Sequence, residues 1–481
     1  MKLALVMFLA ALSGTQVFAA PNRAGQVETG LRAPVAVAGE APRTYRLADR
    51  MRHYAVPGVS IAVIDRGRIA WAKGYGEAQR GRRIERFTRF QAGSISKPVA
   101  AVAAMKLVVA GRLSLDDDIN SILRSWRLPR APSAGDAPVT LRQLLSHSAG
   151  IGVHAFYPGY EPGVPLPTPL EILDGKPPAA NPPIRVENPP GRAFDYSGGG
   201  YQVTQQLLTD VTGAAFSELV QKLVFRPLGM RSSSFVQVSP SQATQHHASG
   251  HDRDGKELPQ KWYLHPELAA AGLWSTPSDL ARLGLALTRD WKNRRALLGR
   301  EGASQLLSPQ QGGWGLGFQV EGTGRAFRFR HGGDNPGYKA VMVIFPESEQ
   351  GAVIMTNGDR GDRLADELLY SIAAAYGWPD FAPKTKVRLP VSPAELERVA
   401  GIYALDSDPS TRIVVAPAGS HLSFTLIQAS GRSSVEFLPA GPGRYFRRDI
   451  DFDLQFSSEV PARKVTLVQD GESFTASRTS N

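Results

Sequence analysis

The sequence predicts an α/β protein: a mixed sheet packed against a helical lobe, followed by a separate antiparallel β-barrel. Three observations lead there. Strand patterns stand early, at residues 59–64 and 69–72, and late, at 340–345 and 352–356, with helix patterns between them, so one sheet draws strands from both ends of the domain. Within a helix pattern at 94–110, residues 99–110 are apolar almost all round, broken only by Lys106, and a helix of that kind belongs in the centre of a fold. Beyond a proline-bounded stretch at 379–393, about eight short strand patterns recur between turn residues, which argues a small barrel.

The elements follow in order. Residues 1–12 read as a basic start and an apolar run too short to span a bilayer, and Val17-Phe18-Ala19 offers a cleavage site after Ala19. Residues 1–19 are therefore expected to be a signal peptide, and 20–43, rich in Ala, Gly, Pro and Val without a period, a flexible leader. Asp65-Arg66-Gly67-Arg68 turns the first hairpin. The central helix begins near Ser94, where Pro98 still falls among positions whose N–H has no helical partner, and Gly111 ends it. A short helix is expected at 140–145. Residues 155–191, dense in Pro and Gly, read as a long functional loop. Helices are expected at 198–212 and 214–226, and another after Thr276-Pro277, where Thr can cap and Pro can start a helix. Strands are expected from Gly315 onward, at 315–318 and 325–330 and then at the two late runs, before a closing helix at 362–376.

Composition narrows the function. The 481 residues are 42% hydrophobic and 21% charged, which is ordinary for a folded chain of two or three domains. There is no Cys, which removes disulfides, thiolate metal sites, a cysteine nucleophile and a lipoprotein anchor. The net charge of +11 comes mostly from scattered Arg. The densest run, Arg80-Gly81-Arg82-Arg83 with Arg86 and Arg89, lacks the aromatic interleaving of a nucleic-acid platform. The charge is read as a solvated surface that leaves open weak contact with anionic cell-envelope polymers, and no nucleic acid and no stable membrane span are expected. His246, His247 and His251 sit in a polar loop without a clear carboxylate partner, so no metal and no cofactor are expected. Neither Gly-x-Ser-x-Gly nor His-Glu-x-x-His occurs.

Three short motifs carry chemistry. In Ser94-Ile95-Ser96-Lys97, positions i and i+3 share a helix face, so Lys97 stands within reach of the Ser94 hydroxyl. A serine hydroxyl needs a base, and an amine desolvated by an apolar helix suits that task. The bland alternative is a helix-capping serine beside a surface lysine. Tyr196-Ser197-Gly198 is the second motif, whose phenol could move a proton beside Lys97; the alternative is a packed core tyrosine. His331-Gly332-Gly333-Asp334 is the third. Its glycines would let a substrate approach the strand, and a backbone N–H after them could join that of Ser94 in holding an oxyanion; the alternative is a β-bulge with a partly exposed His.

In this order and spacing the three motifs resemble the serine β-lactamases and penicillin-binding proteins, and most of all the class C β-lactamase-like branch that includes D-peptidases and family VIII-type esterases. Leu144-Leu145-Ser146-His147-Ser148-Ala149-Gly150, Ala271-Gly272-Leu273-Trp274-Ser275-Thr276-Pro277 and Gly313-Trp314-Gly315-Leu316-Gly317 agree with it, and the resemblance covers residues 44–378. The tail, 394–481, resembles the lipocalin-like domain appended to such proteins, through its strands and Gly401-Ile402-Tyr403. The resemblance implies an acyl-enzyme on Ser94, proton traffic shared by Lys97 and Tyr196, and an oxyanion hole from the N–H groups of Ser94 and Asp334. Two departures stand out. Gly198 replaces the usual Asn of the second motif, and His331 replaces the Lys of true β-lactamases. Both predict poor penicillin hydrolysis and a preference for esters, D-amino-acid peptides or cell-wall-derived amides, in the periplasm or outside the cell. A non-hydrolytic sensor or binding protein is the alternative that Gly198 keeps open, and a basic envelope-binding scaffold is the third.

Overall fold

A computed structural model of the protein describes residues 22–242, 246–428, 431–469 and 472–479. The expected signal peptide, residues 1–19, lies outside the described residues.

The main sheet has seven strands: β1 (Gly58–Asp65), β2 (Arg68–Gln79), β3 (Arg82–Arg83), β4 (Gln319–Glu321), β5 (Arg328–Asn335), β6 (Tyr338–Phe345) and β7 (Gln350–Thr356). Their spatial order is β3-β2-β1-β7-β6-β5-β4, so the first hairpin pairs with the last strand of the domain, as the early and late strand patterns require. Each neighbouring pair in this sheet is antiparallel. A parallel pair occurs elsewhere, between Val35–Val37 and Lys384–Lys386.

The sheet is apolar on both faces because it is the middle layer of three. Side chains alternate across a strand. Val59, Ile61 and Val63 of β1, with Val343 and Ile354, face one core together with Leu364, Leu368 and Ile372. Those last residues belong to α4 (Gly361–Tyr376). Ala62 and Ile64, with Ile344, Val353 and Met355, face the helical lobe. There α1 (Ser96–Val109) is buried on eleven of its fourteen residues, on every side, which places it at the centre of the lobe. It packs beside α2 (Gly198–Thr212), while α3 (Pro277–Trp291) lies on the sheet. Gly284 of α3 meets Ile344 so closely that an added Cβ would stand 2.7 Å from its Cδ1, which is what lets this helix rest on the strand. Thr276 caps α3 by accepting from the Asp279 N–H, with Pro277 in its first turn.

Three local expectations differ from the structure. The stretch read as a loose leader is built into the fold: Arg23–Thr29 forms a helix, and Val27 and Leu31 are buried against α4 and its neighbours. Tertiary burial overrides its lack of periodicity. Residues 315–318 are a turn rather than a strand. Gly317 there has a positive φ of 84°, and β4 begins only at Gln319. The helix expected at 214–226 is broken into Phe216–Val220, a π turn at Gln221–Phe225 and Arg226–Leu228.

The C-terminal part is a closed antiparallel barrel of eight strands, from Gly401–Leu405 to Glu472–Arg478, whose first and last strands pair through Tyr403 and Arg478. It rests on the N-terminal segment. Leu438 and Phe446 pack on Val35 and Val37, and Arg448 pairs with Glu40 at 2.7 Å. None of the residues lining the cleft described next comes from this barrel.

Candidate active site

Ser94 lies in a single 3-10 turn, Gly93–Ile95, that runs directly into α1. The next residue, Ser96, ties this turn to the lobe. Its Oγ donates to the Gly93 carbonyl (2.6 Å) and accepts from the Leu273 N–H (3.0 Å). One turn on, Lys97 is 2% exposed, and its Nζ reaches the Ser94 Oγ at 3.0 Å and the Ala270 carbonyl at 2.8 Å. The Ala270 carbonyl is presented by the short helix Leu268–Ala271, held in turn by the Gln205 side chain, which accepts from the Ala269 N–H at 2.9 Å. The amine is thus fixed from two sides.

Tyr196 precedes the cap of α2. The Ser197 Oγ accepts from the Gly200 N–H and donates to the Val153 carbonyl, both at 3.0 Å. The Ser197 N–H donates to His147 Nδ1 at 3.0 Å. His147, 1% exposed and with a positive φ of 57°, stacks on the Tyr196 ring at a centroid distance of 4.2 Å. Burial, with Lys97 and His331 nearby, holds its imidazole well below the usual histidine range, so it is neutral. The Lys97 ammonium position is 5.0 Å from the centre of the Tyr196 ring. Trp314 closes this aromatic cluster, 5.6 Å from Tyr196 and 5.2 Å from His331.

His331 stands on β5, 3% exposed, with Nδ1 2.5 Å from the Gly332 carbonyl. A carbonyl only accepts, so Nδ1 carries the proton. Nε2 is then a bare acceptor, buried without a protein partner. Burial pushes this imidazole down to about 3, so the third motif brings no positive charge to the cleft at neutral pH. The glycines after it have different tasks. A Cβ on Gly333 would stand 2.0 Å from the Ala92 carbonyl, so its missing side chain makes room for the protein's own chain rather than for substrate. This corrects the expectation for Gly333. Gly332 has open space, with the Ala340 carbonyl 3.9 Å from an added Cβ. The same close approach brings the Ser94 turn against Asp334: a Cβ on Gly93 would lie 2.6 Å from the Asp334 nitrogen. The N–H groups of Ser94 and Asp334 therefore belong to segments in direct contact. Asn335 locks that contact through its Nδ2, which donates to Gln91 Oε1 at 2.8 Å. The Asp334 carboxylate is paired with Lys339.

The cleft that holds Ser94 and Lys97 is narrow, about 60 Å³, and is walled by Phe156, Tyr157, Gly198 and His265. A Cβ on Gly198 would lie 3.0 Å from the His154 carbonyl and 3.2 Å from the Phe156 ring. The loop at 154–157 therefore fills the space that a side chain at position 198 would need. A larger cleft of about 640 Å³, lined by Leu47, Met51 and Pro57 among others, holds neither Ser94 nor Lys97. Two of the three loop histidines have partners within the protein. His251 Nδ1 is 2.9 Å from the Asn357 carbonyl, and His247 is edge-on to Trp274 at 4.9 Å. Among the described residues no group of three or more His, Asp or Glu could hold a metal ion.

The structure brings Ser94, Lys97, Tyr196, Gly198 and Asp334 to the lining of one cleft, while His331 stands behind Tyr196, its ring centroid 6.4 Å away, and Gly332 and Gly333 lie outside that lining. Sequence reasoning missed His147, the Ala270 carbonyl and His265. A match to the Beta-lactamase family spans residues 46–377. The chain belongs to that family. Among its relatives is penicillin-binding protein 4* of Bacillus subtilis (strain 168), 23% identical over 431 residues, which cover 84% of this chain and 91% of that protein. Esterase EstB of Burkholderia gladioli is 29% identical over 224 residues, 44% of this chain and 56% of the esterase. Among solved structures, the octameric penicillin-binding protein homologue from Pyrococcus abyssi superposes with a TM-score of 0.61 at 22% identity, covering 89% of this chain and 98% of that one. That likeness is one of fold, and it extends past the end of the family match.

Proposed function

We propose that the protein is an exported serine hydrolase that works through an acyl-enzyme on esters, D-amino-acid peptides or cell-wall-derived amides, with little or no β-lactam turnover. The observation that carries this reading is the 3.0 Å contact between Lys97 Nζ and Ser94 Oγ, with the amine also held by the Ala270 carbonyl. General-base action from that place requires one N–H to stay on the carbonyl and the nitrogen lone pair to turn to the Ser94 O–H. The amine can then take the proton as Oγ attacks a substrate carbonyl. The N–H groups of Ser94 and Asp334 suit the developing oxyanion. Tyr196, whose ring faces Lys97 at 5.0 Å, is the group we assign to relay a proton to the leaving group, and water releases the acyl group. A penicillin-binding protein and an esterase among the relatives favour acyl transfer to serine as the reaction class.

The low β-lactam turnover rests on two features. His331 is neutral, so no cation from this motif awaits a substrate carboxylate. Gly198 offers no side-chain amide, and Phe156 stands against it. These same features support the second reading, a binding or sensor protein that is acylated but not released. The basic start and apolar run of residues 1–12 support export to the periplasm or beyond. Hydrolysis of p-nitrophenyl acetate, with nitrocefin in parallel, tests the reading. Multiple Ser94-dependent turnovers of the ester with negligible nitrocefin hydrolysis are expected. An adduct that persists for hours would select the second reading, and nitrocefin turnover at the rate of a resistance enzyme would overturn the substrate preference.

A further inference from the structure

Of the ionisable side chains that line the cleft of Ser94 and Lys97 and that the reaction leaves unused, His154, Tyr157, His265 and the carboxylate of Asp334, only His265 is buried. His265 lines the cavity together with Phe156, Tyr157 and Ala270. It is 1% exposed, and both its ring nitrogens are buried without a protein partner. Its position is tightly built. The neighbouring backbones pair, Tyr160 N–H to Leu264 O at 2.9 Å and Leu264 N–H to Tyr160 O at 2.7 Å. The His265 N–H donates to Gln237 Oε1 at 2.8 Å. Gly159, with a positive φ of 97°, lets the loop close over the ring: an added Cβ there would stand 2.7 Å from His265 Cε1. Burial holds the imidazole neutral down to about 4, so it offers one N–H donor and one bare acceptor.

Buried polar groups are almost always hydrogen-bonded, and a nitrogen left unpaired inside a binding cavity is best explained by a partner that arrives with the ligand. The leaving group must depart to solvent, so an enclosed wall suits the part of the substrate that stays on Ser94. We propose that His265 is a specificity-determining residue that selects compact acyl groups carrying an uncharged hydrogen-bonding function, such as a carboxamide, over alkyl chains of the same shape. This rests on Ser94 being the nucleophile. A site built to hydrogen-bond its substrate rejects the apolar isostere strongly, whereas an apolar pocket discriminates weakly.

The test compares two esters of one shape, p-nitrophenyl N-acetylglycinate and p-nitrophenyl 4-methylpentanoate, in wild type, His265→Leu and His265→Gln. The readout is the ratio of kcat/KM for the two esters, compared between proteins so that their intrinsic reactivities cancel. The ratio is expected to fall at least tenfold toward the alkyl ester in His265→Leu and by less in His265→Gln, which keeps a donor and an acceptor. A ratio within twofold of wild type in His265→Leu, or, if that variant fails to fold, in His265→Phe, which keeps the ring shape without its nitrogens, overturns the subsite. Absence of Ser94-dependent turnover of both esters by wild type would instead bring down the hydrolase reading, and the subsite with it.

Discussion

The imidazole of His147 lies nearly parallel to the phenol ring of Tyr196, their centroids 4.2 Å apart and their planes inclined by 28°. The same imidazole accepts the Ser197 N–H, so one neutral ring fixes both the face of Tyr196 and the backbone beside it. In the proposed mechanism His147 is a positioning residue. His147→Ala removes the stack and the acceptor, and small displacements of a reacting group cost about a hundredfold. The expected outcome is a fall in kcat of about tenfold to a hundredfold with KM nearly unchanged, and partial recovery in His147→Asn, which restores an acceptor. Equal losses in both variants, seen as a rise in KM alone, would count against positioning.

The proposed mechanism gives Lys97 a role in chemistry rather than in stability. Its aliphatic stem is buried, and replacing a buried amine by an apolar chain of similar length is often neutral or stabilising. Lys97→Met is expected to lose about 10²–10⁴ in kcat, the usual contribution of a general base, while Tm stays level or rises. Measuring both on one preparation separates the roles: a large drop in Tm with activity intact would assign Lys97 to the core.

Glu267 precedes the short helix that carries the Ala270 carbonyl, and its carboxyl is pushed up by burial from an ordinary 4.5 to about 8. The unfolded chain gives up that proton near 4.5, the folded chain only near 8. Its contribution to stability is therefore present at low pH and is lost as pH rises from about 4.5 to about 8. Glu267→Gln is expected to flatten the decline of Tm across that window. Parallel Tm–pH curves for the two proteins would contradict the assignment.

The buried histidines work in the opposite direction. His265 is lowered from 6.5 to about 4 and His331 from 6.5 to about 3, so the folded protein resists protonation that the unfolded chain accepts. Stability is expected to fall as pH drops below about 6.5, and His265→Gln should remove part of that slope. Thermal melts between pH 4 and 7 check it, and an unchanged slope would mean that His265 is not held neutral.

Gly198→Asn places a side chain where the His154 carbonyl and the Phe156 ring already stand, 3.0 and 3.2 Å from the new Cβ. Overpacking of this kind costs about 1–3 kcal/mol. Ester hydrolysis is expected to fall with no gain in nitrocefin turnover, and Phe156→Ala added to Gly198→Asn should restore part of the ester activity. A gain of nitrocefin turnover in the single variant would show that the missing Asn alone limits β-lactams.

Ser94 and Lys97 were legible because their pairing depends only on three residues of helix, and the two-ended sheet was legible because its strands carry period-two apolar patterns. What was not legible depends on distant chain. The Ala270 carbonyl has no side-chain signature. His147 stood inside a noticed segment, yet its value lies in a stack with Tyr196 that forms only on folding. The helix Arg23–Thr29 is short and has one buried residue, Val27, so its own pattern is too weak to announce it. Gly333 was read as room for substrate, and only the position of Ala92 reveals that the room is taken by the chain itself.

The central claim is that Ser94 forms the acyl bond and Lys97 enables it. Intact-protein mass spectrometry after brief exposure to p-nitrophenyl acetate, followed through turnover, tests it most directly. The account predicts one transient acetyl adduct on a peptide containing Ser94, release of many equivalents of p-nitrophenol, and neither signal in Ser94→Ala. Adduct and turnover that persist in Ser94→Ala would contradict it, leaving Ser94 as no more than a residue at the start of a buried helix.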